Sequence, residues 1–507
     1  MALTTVTDYL EQTAVRFPEK AAFVDATRAM TFRELRTEAR RVASALLRAD
    51  VHHQPVAVFL EKSAACIATF LGALYSGNFY TPLDKSMPDA RIRKILTTLQ
   101  PAVIVTDAAH AEAAWAFAGE AKVLAYETMV SVAADEAAVD EAAAQVIDTD
   151  VCYVLFTSGS TGVPKGVIIP QRAVLDYTGW YKDTFHVTEQ DVFGNQAPLY
   201  FDLSIQDVYL PILTGCTTHL LLSEMFAFPT SLMKTLAEKR VNIIMWSPSA
   251  LCVVANMKGL RVKTLPALRL VTFCGEVMPV KQLNQWRKAY PRTQFVNMYG
   301  PTEACDACTY YVIERDLAPE ESLPIGRPCK NADIFVLDDD CRIVSAQDTQ
   351  TTGELCIRGT SLAYGYYANP EKTQATFVQN PLNTVYPETI YRTGDLVHYN
   401  ERGELMYDGR KDFQIKHMGY RIELGEIETA AGALTGVDAN ACVYDAVRDR
   451  IHLFYAGCID EVALAGELAA FLPHYMIPSD VHHLSTMPLN LNGKIDRTAL
   501  KERVTNA

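Results

Sequence analysis

Phe156-Thr157-Ser158-Gly159-Ser160-Thr161-Gly162-Val163-Pro164-Lys165-Gly166 stands out in this chain of 507 residues. It follows an apolar run of β type, Val151-Cys152-Tyr153-Val154-Leu155, so a strand gives way to a turn rich in glycine and hydroxyl groups. Glycines without Cβ atoms let backbone N–H groups close on anionic oxygens, Ser and Thr hydroxyls add donors, and Lys165 adds charge. Thr157, Ser158, Gly159, Ser160, Thr161, Gly162 and Lys165 therefore read as a phosphate grip. Gly166 follows Lys165 where a Walker P-loop places Ser or Thr for Mg²⁺, so the loop is of another kind.

Length and composition narrow the rest. A chain of 507 residues with 49% hydrophobic content predicts two or three domains with ample core. The formal charge of −14 argues against a nucleic-acid surface, which wants a basic face, so a phosphate ligand must meet a local basic pocket. The start, Met1-Ala2-Leu3-Thr4-Thr5-Val6-Thr7-Asp8, has no basic segment leading into an apolar one, and no 18-residue apolar run follows. The expectation is a cytoplasmic protein without membrane insertion. The 12 cysteines are scattered through contexts such as Ala65-Cys66-Ile67, where cysteine acts as a small buried hydrophobe. Cys305-Asp306-Ala307-Cys308 has no second pair beside it, so no zinc site is expected.

From about residue 7 to 150, helical patterns alternate with β runs such as Val56-Ala57-Val58-Phe59-Leu60 and Ala102-Val103-Ile104-Val105-Thr106, which predicts α/β layering. Residues 108–144, rich in Ala and Glu, read as an acidic, solvated helical flank. A second α/β unit runs from the phosphate loop to Pro324, with strands at Ile243-Ile244-Met245-Trp246 and Leu270-Val271-Thr272-Phe273. Turn-rich β segments occupy residues 325–407. The sharpest boundary falls at Gly409-Arg410-Lys411-Asp412, giving domains 1–409 and 410–507. The second reads as small and α+β, with helices near 423–434 and 461–472 and strands near 440–444 and 450–456. With the chain ending soon after Lys494, no fused carrier domain is expected.

Other motifs follow in order: Thr31-Phe32-Arg33-Glu34-Leu35, Gly77-Asn78-Phe79-Tyr80-Thr81-Pro82-Leu83-Asp84, Phe201-Asp202-Leu203-Ser204, Asn297-Met298-Tyr299-Gly300-Pro301-Thr302-Glu303, Gly353-Glu354-Leu355-Cys356, Tyr391-Arg392-Thr393-Gly394-Asp395, Gly409-Arg410-Lys411-Asp412-Phe413-Gln414-Ile415-Lys416 and Asn492-Gly493-Lys494-Ile495-Asp496-Arg497. With the loop, they make nearly the whole chain resemble the adenylate-forming superfamily, specifically a stand-alone amino-acid adenylation domain of the nonribosomal peptide synthetase type. The resemblance implies a large N-terminal domain of two α/β subdomains and a β-rich one, followed by a small mobile α+β domain. It also implies ATP-dependent formation of aminoacyl-AMP with release of pyrophosphate, then transfer to the phosphopantetheine thiol of a separate carrier protein.

Joining a carboxylate to the α-phosphate of ATP brings two anions together, so the work is charge neutralisation and positioning. By resemblance, Lys494 is the catalytic cation, Thr302 contacts the α-phosphate and Glu303 carries Mg²⁺, a hard ion suited to carboxylate and phosphate oxygens. The resemblance adds Asn297, Met298, Tyr299 and Gly300 around the nucleotide, with Tyr299 facing adenine. Asp395 would accept from the ribose hydroxyls with Arg410 nearby, and Asp412 would be the hinge about which Gly419-Tyr420-Arg421 is presented to the thiol. Asp202 is a carboxylate in an apolar stretch, costly to bury unpaired and matched by a substrate ammonium. Leu203, Gln206, Ser249, Thr272, Cys274, Met298, Asp306 and Ala307 complete the implied amino-acid pocket.

The segments Phe273-Cys274-Gly275-Glu276-Val277-Met278-Pro279, Phe201-Asp202-Leu203-Ser204 and Glu321-Ser322-Leu323-Pro324 resemble D-alanine:D-alanyl carrier protein ligases more than the large multimodular synthetases. Cys274 and Met298 suit a small apolar side chain, whereas Asp306 departs from that pattern and suits a polar or cationic one, so the amino acid and its stereoisomer stay open. An acyl-CoA synthetase of the same fold is the alternative enzyme, against which Asp202 stands. A catalytically silent binding relative is the other, against which Lys165, Glu303, Asp395 and Lys494 stand.

Overall fold

The computed structural model describes residues 3–159, 162–261, 265–489 and 495–505. It separates into two compact units, Met1–Asp84 with Gln100–Leu155 and Gly166–Lys411, and Lys85–Leu99 with Phe156–Lys165 and Asp412–Ala507. The chain passes from the first unit to the second for the last time between Lys411 and Asp412, and the phosphate loop clusters with the C-terminal elements.

Three sheets build the first unit among the described residues. A nine-stranded sheet has six parallel strands in the order Gln294–Tyr299, Leu270–Phe273, Ile243–Trp246, Val192–Asn195, Thr217–Leu220 and Ala21–Val24, with antiparallel strands at both edges. A six-stranded sheet runs Lys122–Ala125, Val103–Thr106, Pro55–Phe59, Phe79–Pro82, Val151–Thr157 and Lys165–Pro170. Every residue of Pro55–Phe59, Val103–Thr106, Ile243–Trp246 and Leu270–Phe273 is buried. Parallel strands covered on both faces read as continuous apolar runs, which is why they were legible. The third sheet is antiparallel, with Thr389–Tyr399 paired to Gly353–Gly359 on one side and to Phe377–Gln379 and Leu405–Arg410 on the other.

The α/β class with a β-rich third part is what the sequence predicted. Thr31-Phe32-Arg33-Glu34 turns out to be a capping box: Glu34 N–H donates to the Thr31 hydroxyl, and the Glu34 carboxylate accepts from Thr31 N–H, starting the helix Phe32–Arg48. Residues 108–144 are not one helical flank. Helices Ala111–Phe117, Tyr126–Ser131 and Glu136–Gln145 are interrupted by the strand Lys122–Ala125, which pairs parallel to Val103–Thr106. Gly119, at φ +58°, supplies the left-handed turn between helix and strand.

The second unit packs the helix Leu424–Gly432 and the helix Glu461–Leu468 on a three-stranded sheet of Val437–Asp445, Arg450–Gly457 and Asp480–His483. Ile422, Ile427, Leu453, Leu464, Leu468 and Met476 form its core. The helix expected to reach residue 472 ends at Leu468, shortly before Pro473.

In the first unit the helix Phe32–Arg48 packs against Ala64–Tyr75, and their approach depends on Gly72. A Cβ there would stand 2.5 Å from Val42 Cβ and Cγ1 and 2.8 Å from the Ala39 carbonyl. Gly72→Ala should therefore overpack the contact and lower unfolding stability by about 1–3 kcal/mol, read by chemical denaturation. An unchanged midpoint would contradict this account of the contact.

Candidate functional site

Four neighbouring parallel strands of the nine-stranded sheet, Val192–Asn195, Ile243–Trp246, Leu270–Phe273 and Gln294–Tyr299, run in one direction, and the predicted pocket residues lie on or just past their carboxyl ends. Open α/β sheets bind ligands at that end. Asp202 and Leu203 sit in the 3₁₀ turn Asp202–Ser204, Gln206 opens the helix Ile205–Thr214, and Ser249 opens Pro248–Asn256. Thr272 and Met298 lie on strands, Cys274 directly follows one, and Asp306 and Ala307 follow the turn Thr302–Ala304.

Asp202 is half-buried, and its carboxylate accepts from Leu203 N–H at 2.9 Å and from the Thr302 hydroxyl at 2.5 Å. Cys305 and Asp306 both take positive φ, 54° and 79°, conformations that non-glycine residues adopt at a cost and that concentrate at functional sites. Gly300 makes this turn feasible, because a Cβ there would meet the Asp306 carbonyl at 2.3 Å and the Ala307 Cα at 2.5 Å. The Ser249 amide and hydroxyl donate to Glu276 at 2.9 and 2.6 Å. Gln206 donates to the Leu203 carbonyl at 2.5 Å.

Tyr299, Asp395 and Arg410 come together at the junction of two sheets. The Tyr299 hydroxyl donates to Asp395 Oδ2, and Arg410 Nη1 lies 2.8 Å from Asp395 Oδ1. Asp395 and Arg410 are also cross-strand partners. Burial, reinforced by the neighbouring Asp395 charge, pushes the Tyr299 phenol well above its ordinary value, so it stays a proton donor. Asn297 donates to the Pro324 carbonyl at 2.8 Å. Glu303 is fully buried and accepts from the Tyr366 hydroxyl at 2.6 Å. No cluster of three or more His, Cys, Asp or Glu suited to a metal occurs among the described residues.

Within the second unit, the loop Phe156–Lys165 already holds anions of its own chain. Gly159 N–H donates to Glu426 Oε2 at 3.3 Å, and Lys165 Nζ lies 3.7 Å from Glu423 Oε1 with both side chains at most 10% exposed. The Ser158 hydroxyl donates to the Arg421 carbonyl at 2.7 Å and accepts from Glu423 N–H. Gly162, at φ +76°, closes the turn by donating its N–H to the Gly159 carbonyl at 3.0 Å, and Lys94 donates to the Gly162 carbonyl. Thr157 Oγ1 is buried with no hydrogen-bond partner among the described residues. Arg91 pairs with Glu426, whose carboxyl is pushed up by burial. Lys494, Ser160 and Thr161 lie outside the described residues. Asp412 is exposed and turns the chain by accepting from Gln414 N–H at 3.2 Å.

Sequence reasoning missed Tyr177 and Tyr181, which reach predicted pocket residues from the helix Gln171–Thr184: the first donates to Asp306, and the second bonds Thr272. Their spacing of four, beside Trp180, reads in sequence as an ordinary buried helix face. Glu276 and Tyr366 were also missed, since nothing local marks their partners.

The sequence profile of the AMP-binding enzyme family matches residues 10–367. The chain belongs to the AMP-binding enzymes. This family member is 33% identical, over 96% of its length and 94% of the relative's, to the L-proline–[L-prolyl-carrier protein] ligase of Streptomyces coelicolor. It is 31% identical to the D-alanine–D-alanyl carrier protein ligase of Bacillus licheniformis, over 96% of this chain and 97% of that one. Tyrocidine synthase 1 of Brevibacillus parabrevis is 31% identical over 97% of this chain, which spans only 44% of that protein. Identities this even do not single out one amino acid. The fold is shared with an artificially fused adenylation–PCP di-domain NRPS from Klebsiella oxytoca, at TM-score 0.82 and 22% identity, covering 100% of this chain and 98% of that one. No described helix is long and apolar enough to cross a membrane.

Behind the segment that carries Asp202, this AMP-binding enzyme places Lys62, Asn195 and Asp207. Lys62 donates to the Asn195 and Gln196 carbonyls at 3.2 and 3.1 Å, and Asn195 Nδ2 donates to Asp207 Oδ2 at 2.7 Å. Burial pushes Lys62 down to about 7, partly offset by Asp207, and pushes the fully buried Asp207 up to about 7, partly offset by Asn195 and Lys62. The folded Asp207 therefore keeps its proton to about pH 7, while the unfolded chain releases it near 3.8. The stabilisation this gives is full below 3.8 and is lost as pH rises through about 7. Asp207→Asn removes the dependence, so the parent's thermal midpoint should fall relative to the variant's between pH 4 and 7. Parallel profiles would contradict the shift.

Proposed function

We propose that this chain is an amino acid–carrier protein ligase of the AMP-forming type. It activates an amino acid with ATP to aminoacyl-AMP, releasing pyrophosphate, and passes the aminoacyl group to the phosphopantetheine thiol of a separate carrier protein. The observation that carries the reading is Asp202, a half-buried carboxylate past the carboxyl end of a parallel strand, the end at which open α/β sheets bind ligands and where a negative charge suits a substrate ammonium. The two carrier-protein ligases matched almost end to end support the same reaction class. Asp202 also favours it over an acyl-CoA synthetase, whose substrate has no ammonium to pair.

In this reading, Thr302, next to Asp202, meets the substrate carboxylate; Asp395 has the role of ribose acceptor, and the glycine loop with Lys165 that of phosphate donor. Tyr299 and Arg410 hold the Asp395 carboxylate in place, so the ribose hydroxyls meet a fixed acceptor. Glu303 fits Mg²⁺ as a buried carboxylate oriented by Tyr366, and the ion, when bound, neutralises phosphate charge. Lys494 supplies the cation between the two reacting anions. The loop must exchange Glu423 and Glu426 for the phosphates of ATP, which suits a C-terminal domain, residues 410–507, turning about Asp412 against the N-terminal core, residues 1–409. A cytoplasmic setting is supported by the 12 free cysteines.

Lys494→Ala should lower amino-acid-dependent ATP–pyrophosphate exchange by about 10²–10³-fold, while leaving thioester formation from supplied aminoacyl-AMP intact. A loss below about threefold would reject the role. Asp202→Ala should raise the amino-acid KM steeply with ATP binding spared, measured by exchange kinetics at saturating ATP, and an unchanged KM would move the protein toward the acyl-CoA synthetases.

A further inference from the structure

Three polar side chains of the proposed amino-acid pocket, Asp306, Gln206 and Thr272, are engaged by one helix, Gln171–Thr184. The Tyr177 hydroxyl donates to Asp306 Oδ2 at 2.6 Å, with the Gln206 carbonyl oxygen 3.4 Å away as a weaker acceptor. One turn further, the Tyr181 hydroxyl shares a hydrogen bond with Thr272 Oγ1 at 3.0 Å. A spacing of four places both phenols on one helix face. Both rings are buried, at 2% and 0% exposure, and burial pushes both phenols above their ordinary value, so their protons stay on oxygen and can be donated.

A buried carboxylate costs free energy unless donors reach it, and a pocket that presents one selects ligands able to donate. Here a donor is built into the protein. At 2.6 Å, the Tyr177–Asp306 contact is a charge-assisted hydrogen bond of the strong kind. Thr272 is likewise turned toward Tyr181 and Gln206 toward the Leu203 carbonyl. Met298, Cys274 and Ala307, all buried, contribute the apolar part of the set.

We propose that Tyr177 is a specificity-determining residue: by engaging Asp306 inside the protein it makes the pocket select an amino acid with a small apolar side chain over one bearing a hydroxyl or cation. Tyr181 acts in the same way on Thr272. The assignment rests on the amino-acid activation reading above and refines its substrate class.

The test is amino-acid-dependent pyrophosphate exchange by the full chain, its Tyr177→Phe variant and its Asp306→Asn variant. The panel is alanine, valine, serine, threonine, ornithine and lysine in both stereoisomers. The parent should prefer alanine or valine. Tyr177→Phe, which leaves Asp306 without this donor, should shift the ratio of donor-bearing to apolar substrates by about tenfold or more toward the former. Asp306→Asn removes the charge but keeps an acceptor for Tyr177, so whatever exchange it retains should still favour apolar over donor-bearing substrates. A parent that prefers serine, threonine, ornithine or lysine overturns the proposal, as does a Tyr177→Phe variant with unchanged ranking or an Asp306→Asn variant that favours donor-bearing substrates. If Tyr177→Phe fails to fold, the parent's ranking and Asp306→Asn still decide. Exchange with no amino acid in the parent would overturn the activation reading itself, and the pocket assignment with it.

Discussion

The carboxylate of Asp395 joins two sheets. One oxygen accepts from Tyr299, at the end of a strand of the nine-stranded sheet, and the other meets Arg410 on the adjacent strand of the antiparallel sheet. Each of the three side chains is nearly removed from water, so each must find its partner inside the protein. Removing one would cost its neighbours a buried partner, which ties the end of Gln294–Tyr299, and with it the turn that carries Thr302 and Glu303, to the strand just before the Lys411–Asp412 boundary.

The same constraint explains how a chain with a formal charge of −14 can present an anion-binding loop. Its basic groups are committed locally: Arg410 to Asp395, Lys165 to Glu423, Arg91 to Glu426. The loop's amide and lysine donors face carboxylates of the same chain, and anions of a ligand would find the same geometry. The polar residues around the strand ends of the first unit are committed in the same way, Asp306 and Thr272 to tyrosines and Ser249 to a carboxylate.

Much of this was legible in the sequence where the signal is local. Continuous apolar runs at 243–246 and 270–273 marked parallel strands, since burial on both faces removes the polar alternation. Glycine and hydroxyl residues marked the loop because the turn needs Gly162 at positive φ. The nearness of Asp395 and Arg410 came from the family resemblance and is realised by strand pairing. What stayed hidden depends on contacts far along the chain. Tyr177 is separated by 129 residues from Asp306, and Gly159 by 267 from Glu426. The strand Lys122–Ala125 was hidden for a different reason: a short, half-buried edge strand amid Ala and Glu has too few apolar residues to register as β.

In the proposed reading the strand ends offer a carboxylate to an ammonium and the glycine loop offers donors to phosphate, and together with the family relationship these make amino-acid activation the central claim. The most direct measurement is ATP–pyrophosphate exchange by the unaltered protein with an amino acid and, separately, with the same acid lacking its amino group. The account predicts exchange that depends on the amino acid and is weak or absent with the deaminated acid. Equal or faster exchange with the deaminated acid would contradict it.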